Sequence, residues 1–152
     1  MKVYYNASLS RYRELLPVTK DMGRIIEELG HVITSRHVLK PETTEGNWED
    51  QYEPRRLFER EMRRLANSDV LITEATTPSY GGGFIIQTAF SLGKPLLTLH
   101  YGLEEKNATL MLRGHPWINL HMYTEDTIRD VLKSFFKEVE EKVVDPHGDF
   151  DQ

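Results

Sequence analysis

The stretch Asp69–Leu99, DVLITEATTPSYGGGFIIQTAFSLGKPLLTL, decides the fold. Val70 to Thr73 is a short apolar, partly β-branched run, as expected of a strand buried on both faces. A loop follows with Glu74, Pro78, Ser79 and the consecutive glycines Gly81, Gly82 and Gly83. A helix is expected from about Phe84 to Leu92, and a second buried strand after Gly93-Lys94-Pro95. That order is a βαβ unit, whose first loop lies at the sheet edge where such folds take ligands. Gly81 and Gly83 either let a ligand approach the backbone or make a tight turn into a closely packed helix. The helix begins with unpaired N–H groups that suit an anion, so phosphate or sugar is the ligand class the loop favours.

Upstream, Lys2 to Tyr5 is a β-rich run that stops at the small and polar residues Asn6-Ala7-Ser8-Leu9-Ser10, giving a first strand that ends in a binding loop. From about Arg11, Leu15, Leu16, Val18, Met22, Ile25, Ile26 and Leu29 recur at helical spacing; Pro17 either kinks this helix or marks its first turn, and Gly30 closes it. His31 to Thr34 reads as a second strand, and the aperiodic Ser35 to Asn47 as a loop. A helix then spans about Trp48 to Asn67, capped by Asn47, with Pro54 placed to interrupt its first turns. Leu57, Phe58 and Leu65 share one face of it, and Glu61 falls inside the same arc. Glu61 either lies at the edge of that stripe and pairs with Arg60 or Arg64, or points into a pocket.

Downstream of the central unit, His100 to Lys106 is a loop and Asn107 to Arg113 a short helix capped by Asn107. Trp117 to His121 is the last strand. Thr124 caps a final helix, Glu125 to about Val143, that turns Ile128, Val131, Leu132, Phe135, Phe136 and Val139 inward. The alternation predicts an α/β fold, a Rossmann-like or flavodoxin-like three-layer sandwich with a parallel sheet of about five strands. It forms one domain over residues 1–145, with a frayed tail at 146–152.

Composition narrows the chemistry. A chain of 152 residues suits one domain with a substantial core. A net charge of -5 argues against general nucleic-acid binding, which needs a basic field. With no cysteine there is no disulfide framework, thiolate metal site or cysteine nucleophile. MKVYYNASLSRYREL lacks the apolar core of a signal peptide, and the longest apolar runs are strand length, so a cytoplasmic protein without a membrane segment is expected. The first strand is not followed by a dinucleotide GxGxxG and there is no Walker lysine. Asn6-Ala7-Ser8 stands where a receiver domain needs its acidic pair. The histidines show no ligand spacing, and no G-x-S-x-G elbow surrounds Ser79; neither a metal site nor a cofactor is expected.

YYNASLS, EATTPSYGGGF, LGKPLLTL and TLMLRG, in this order and spacing, resemble the nucleoside 2-deoxyribosyltransferase superfamily, and within it the 2'-deoxynucleoside 5'-phosphate N-hydrolases. The likeness runs from Val3 to about the last helix. It implies a Rossmann-like subunit, usually a homodimer with shared active sites, that cleaves the N-glycosidic bond of a deoxynucleotide or passes the deoxyribosyl group to another base. The superfamily's tyrosine at the end of the first strand falls on Tyr4, with Tyr5 the alternative register. Its phosphate-binding serines fall on Ser8 and Ser79. A further serine, lent by the neighbouring subunit, matches Thr109, and the following M-x-R-G segment holds Arg113. His37 resembles the residue near the base, and the helix carboxylate that assists the leaving base lands on Glu61.

The resemblance breaks at one place. The glycine loop of the family continues G-x-G-Y-E, where the glutamate attacks C1' of the sugar. This chain reads Gly81-Gly82-Gly83-Phe84-Ile85-Ile86, and the glutamate's place is assigned here to Ile86. Isoleucine can neither attack nor stabilise an oxocarbenium ion. Glu74, Gln87 and Glu61 are the candidates to compensate. Two functions follow as expectations: hydrolysis of a (deoxy)nucleoside 5'-monophosphate to base and sugar phosphate, or a nucleotide-binding sensor that has lost catalysis.

Overall fold

In the computed structural model, which describes residues 1–8, 15–40 and 53–144, Lys2–Ala7 forms β1 and Leu16–Glu28 forms α1. Val32–Ile33 is β2, followed by a 3₁₀ turn over Arg36–Leu39; Pro54–Ala66 is α2, Val70–Glu74 β3, Tyr80–Ser91 α3 and Leu96–Tyr101 β4. A second 3₁₀ turn, Glu105–Asn107, precedes the one-turn α4 (Leu110–Arg113), β5 (Leu120–Tyr123) and the long α5 (Ile128–Val144). All five strands are parallel in the order β2-β1-β3-β4-β5. This is the doubly wound order whose ligand crevice opens between β1 and β3, where the chain leaves the sheet toward opposite faces.

Strand alternation divides the core between the two faces. Val3, Tyr5, Val70, Ile72, Leu97 and Leu99 point to one side, where α1 brings Met22, Ile25 and Ile26 and α5 brings Ile128, Leu132 and Phe136. Tyr4 and Leu71 point to the other, against Leu65 of α2 and Ile85, Ile86 and Ala89 of α3. Each fully buried aliphatic side chain contributes roughly 1.5–3 kcal/mol. Gly23 lets Leu39 of the first 3₁₀ turn pack closely onto α1; a Cβ there would meet Leu39 Cδ2 at 2.5 Å and displace that side chain.

Several element boundaries differ from the sequence reading. Pro17 lies in the first turn of α1, which starts at Leu16; the expected start near Arg11 falls outside the described residues. Glu53 is extended and caps α2 by accepting hydrogen bonds from the amides of Arg55 and Arg56, so Pro54 opens that helix rather than interrupting it. The cap proposed at Asn47 lies outside the described residues. Phe58 is exposed rather than core, and tilts against Phe84. α3 starts at Tyr80 rather than Phe84, because Ser79 caps it and draws the glycines into its first turn. Thr109, not Asn107, occupies the N-cap of α4. β5 starts at Leu120 because the turn at His115–Trp117 delays it, the Trp117 amide donating to His115 Nδ1 at 3.2 Å. Thr124 and Thr127 close a turn ahead of α5, moving its start to Ile128.

Candidate functional site

A cavity of about 150 Å³ opens at the β1/β3 crevice, and it gathers Ser8 from the end of β1, Ser79, Gly83 and Ile86 from α3, and Thr109 from the start of α4. Ser79 Oγ accepts the amide of Gly82 at 2.9 Å, which leaves the hydroxyl proton free to donate. A Cβ on Gly82 would lie 2.8 Å from Ser79 Oγ, so it is Gly82, between the two glycines singled out from the sequence, that is fixed by close approach. Gly83 borders the cavity, whereas Gly81 is exposed outside it. Thr109 caps α4 without a side-chain cap bond, so its hydroxyl is not spent on the helix, and here it faces the cavity of its own chain. Arg113 lies outside the lining and pairs with Glu105 at 3.8 Å. Asn6 and Thr73, which sequence reasoning did not single out, form the cavity floor; they are opposite each other in the β1–β3 register and joined at 2.9 Å.

The second cluster lies under the same face of the sheet. Tyr4 turns toward α2, where its hydroxyl donates to Glu61 Oε2 at 2.8 Å. Tyr5, the alternative register, turns the other way and donates to the Thr19 carbonyl. Glu61 is 9% exposed and pairs with Arg60 Nε at 2.7 Å and Arg64 Nη1 at 2.8 Å, as the first reading of its position expects, and it is not among the residues that line the cavity. His37 arrives from the first 3₁₀ turn, with Nε2 3.9 Å from Glu61 Oε2 and Nδ1 3.4 Å from Arg64 Nη1. Ser35 positions that turn, because its hydroxyl both accepts from the Tyr5 amide and donates to the Tyr5 carbonyl.

Charge in this cluster is strongly organised. Burial pushes the Glu61 carboxyl up, but His37, the Tyr4 hydroxyl and the two arginines outweigh it and hold Glu61 below the ordinary carboxylate value. Burial lowers His37, and Arg64, Arg60 and Lys40 lower it further against the opposing pull of Glu61. Burial and the adjacent carboxylate raise Tyr4, so it stays a protonated donor. The arrangement sets a carboxylate held toward its ionised form beside a phenol donor and an imidazole that burial holds toward its neutral form.

Ile85 and Ile86 pack with Tyr4 in one apolar cluster, and Ile86 forms part of the cavity wall. Counted onto Gly81-Gly82-Gly83-Phe84, the G-x-G-Y-E spacing ends on Ile85, one residue before the assignment made above. Both side chains are buried and apolar, so neither position supplies a carboxylate. Of the compensating candidates, Glu74 borders the cavity, but its carboxyl accepts from Thr76 and from Tyr123 on the α1–α5 side, and burial raises it above the ordinary value. Gln87 is exposed and bonded to Ser91. Glu61 is the carboxylate that shares the Tyr4 face. Among the described residues no group of three or more His, Asp or Glu side chains is placed to hold a metal ion, and no helix is long and apolar enough to cross a membrane. A larger groove of about 680 Å³ lies at the opposite, N-terminal ends of β4 and β5, beside Trp117 and Phe135, and none of the candidate residues lines it.

No family model matches the chain. A protein of Thermofilum pendens bearing the name 2'-deoxynucleoside 5'-phosphate N-hydrolase is 31% identical over 133 residues, which cover 88% of this chain and 91% of that protein. The 5-hydroxymethyl-dUMP N-hydrolase of Danio rerio is 26% identical over 140 residues, 90% of this chain and 96% of its own. Among solved structures, the CMP N-glycosidase of Clostridium botulinum superposes with a TM-score of 0.59 at 17% identity, covering 88% of this chain and 99% of that one, a likeness of fold. With the parallel sheet and serine-capped glycine helix in place, sequence identity of nearly a third along almost the whole length shows that the chain belongs to the 2'-deoxynucleoside 5'-phosphate N-hydrolase family, within the nucleoside 2-deoxyribosyltransferase superfamily.

Proposed function

We propose that the protein binds a (deoxy)nucleoside 5'-monophosphate in the β1/β3 cavity and hydrolyses its N-glycosidic bond to free base and sugar phosphate. The observation that carries this reading is the convergence of Ser8, Ser79 and Thr109 on one cavity at the start of α3. Three hydroxyls and the helix N-terminus are a phosphate's complement, and they favour a 5'-monophosphate over a free 5'-hydroxyl. Glu61, Tyr4 and His37 then attend the sugar and base. Water attacks C1' as the C1'–N bond breaks; Glu61 takes the proton that the water loses and passes it to the departing base, whose nitrogen keeps the bond's electron pair. Glu61 stabilises the positive charge that develops on the sugar, and Tyr4 holds the carboxylate in place.

A homodimer completes the site in this reading. The cavity is smaller than the roughly 300–1,000 Å³ typical of small-molecule sites, and Tyr80, Phe84, Leu110 and Met111 expose apolar surface on the two helices beside it. A second copy laid over these residues encloses the ligand. The chemistry belongs in the cytoplasm, where nucleotides are held.

The isoleucines at 85 and 86 favour a second reading, a nucleotide sensor without turnover. Purified protein incubated with each of the four deoxynucleoside monophosphates separates the two, with free base read by chromatography and binding by calorimetry. Base release that disappears in Glu61→Ala supports hydrolysis. Binding without release supports the sensor, and the absence of both defeats each of them.

A further inference from the structure

Asn6 and Thr73 line the floor of the β1/β3 cavity, and their polar groups are not used up by each other. Asn6 Nδ2 donates to Thr73 Oγ1 at 2.9 Å, and among the described residues neither side chain makes another hydrogen bond. That contact leaves Asn6 a second N–H and its carbonyl oxygen, and leaves Thr73 its hydroxyl proton. Exchanging the oxygen and nitrogen of the amide changes the count but not the kind. Thr73 can donate as well as accept, so the pair keeps a spare donor and a spare acceptor in either orientation. Closing the sheet does not call for such a pair. Two residues earlier on the same face, Tyr4 stands opposite Leu71, and the two pack in an apolar cluster.

The place of the pair decides which part of a nucleotide it meets. A Cβ on Gly82 would lie 2.8 Å from Ser79 Oγ and 3.6 Å from Asn6 Nδ2, so Asn6 sits against the turn of α3 that carries the anion-binding serine. Along β1, Tyr4 precedes Asn6 by two residues and Ser8 follows by two, and Ser8 lines the same cavity. Side chains two apart on a strand face are separated by roughly 7 Å. Asn6 therefore stands between the hydroxyls that suit the phosphate and the tyrosine that donates to Glu61, which is the place of the sugar ring. We infer that Asn6, positioned by Thr73, reads a ring hydroxyl of the sugar, giving it one hydrogen bond and taking another. This rests on the nucleotide reading above. A hydroxyl both donates and accepts, and so matches the spare groups. A phosphate dianion only accepts, and would set its charge against the amide oxygen. Water can stand in for a missing hydroxyl, so the discrimination is moderate.

Calorimetric binding of sugar-modified nucleotides tests this. The ligands are the 5'-monophosphates of adenosine, 2'-deoxyadenosine and 3'-deoxyadenosine, and of the three matching cytidine nucleosides. In the wild type, loss of one of the two hydroxyls is expected to weaken binding roughly tenfold, and the nucleotide affected identifies the hydroxyl that Asn6 reads. Asn6→Leu, close in size, is expected to bind the ribonucleotide and that deoxy form alike. Thr73→Val, which removes the group that holds the amide, is expected to narrow the same gap while leaving affinity for the deoxy form unchanged; it carries the test if Asn6→Leu does not fold. Equal wild-type affinities for all three sugars overturn the inference, as does a gap that survives in both variants. An equal loss for all three sugars in Asn6→Leu puts Asn6 on the phosphate and also overturns it. Absence of binding by every nucleotide defeats the nucleotide reading itself and this inference with it, and so is distinct from the outcomes that touch Asn6 alone.

Discussion

Ile85 and Ile86 pose the sharpest question at the scale of the residue. Both pack in one apolar cluster with Tyr4, whose hydroxyl donates to Glu61, so a carboxylate introduced there enters the proposed site. Ile85→Glu follows the spacing of the family motif and Ile86→Glu follows the cavity wall. If the pocket is otherwise intact, one of the two is expected to raise base release on the order of a hundredfold. Unchanged release in both, in variants that remain folded by circular dichroism and bind nucleotide, defeats the idea that only the missing carboxylate limits turnover. Glu61 carries a second prediction. Its folded value lies below the ordinary one, so its contribution to stability is complete above the unfolded value and is lost as pH falls through the folded one. Glu61→Gln is therefore expected to lose roughly 1–3 kcal/mol at pH 7, because it removes the carboxylate charge that Arg60 Nε and Arg64 Nη1 pair with, and to match the wild type once Glu61 itself is protonated. Urea midpoints at neutral and strongly acidic pH check this; a difference that ignores pH argues that the ion pairs are incidental.

At the scale of the element, the first turn of α3 holds three glycines that look alike in sequence and differ in space. Gly81 and Gly83 have open surroundings, whereas a Cβ on Gly82 meets the capping oxygen of Ser79. Alanine exceeds glycine in helix propensity by about 1 kcal/mol. Gly81→Ala should thus raise the melting temperature, while Gly82→Ala should forfeit that gain by displacing Ser79 from its cap. Calorimetric scans of the two variants, with nucleotide affinity measured alongside, distinguish them. Equal gains in stability with equal affinities would mean that the close approach at Gly82 is relaxed at no cost.

At the scale of the whole molecule, the exposed Tyr80 and Met111 beside the cavity carry the expectation of a second copy. Sedimentation is expected to find a dimer, and Tyr80→Glu combined with Met111→Glu to give a monomer with weakened nucleotide binding. A monomeric wild type that binds nucleotide fully would show that one chain suffices. The doubly wound topology accounts for how two clusters far apart in sequence come to one place. β1 and β3 are neighbours whose chains leave toward opposite faces, so Ser8 and Ser79 flank one crevice, and Tyr4 is carried beneath α2.

Much of this was legible in the residues. Buried strands announced themselves as short aliphatic runs, because a parallel strand covered on both faces has no polar side to interrupt the pattern, and their alternation with helices fixed the fold class. The resemblance pointed to Ser8, Ser79, Thr109 and Tyr4 as site residues, and helical spacing together with the resemblance pointed to Glu61. The helix limits around Ser79 were not legible, since a glycine run reads as loop until a side chain is seen capping it. Spacing along one helix could not say what the neighbouring strand presents to Glu61. Tertiary structure set the Tyr4 hydroxyl, Arg60, Arg64 and His37 around that carboxylate, and turned Glu74 toward Tyr123 instead. The chain alone determines which groups are available, and the sheet, through register and the alternation of its side chains, determines which of them meet.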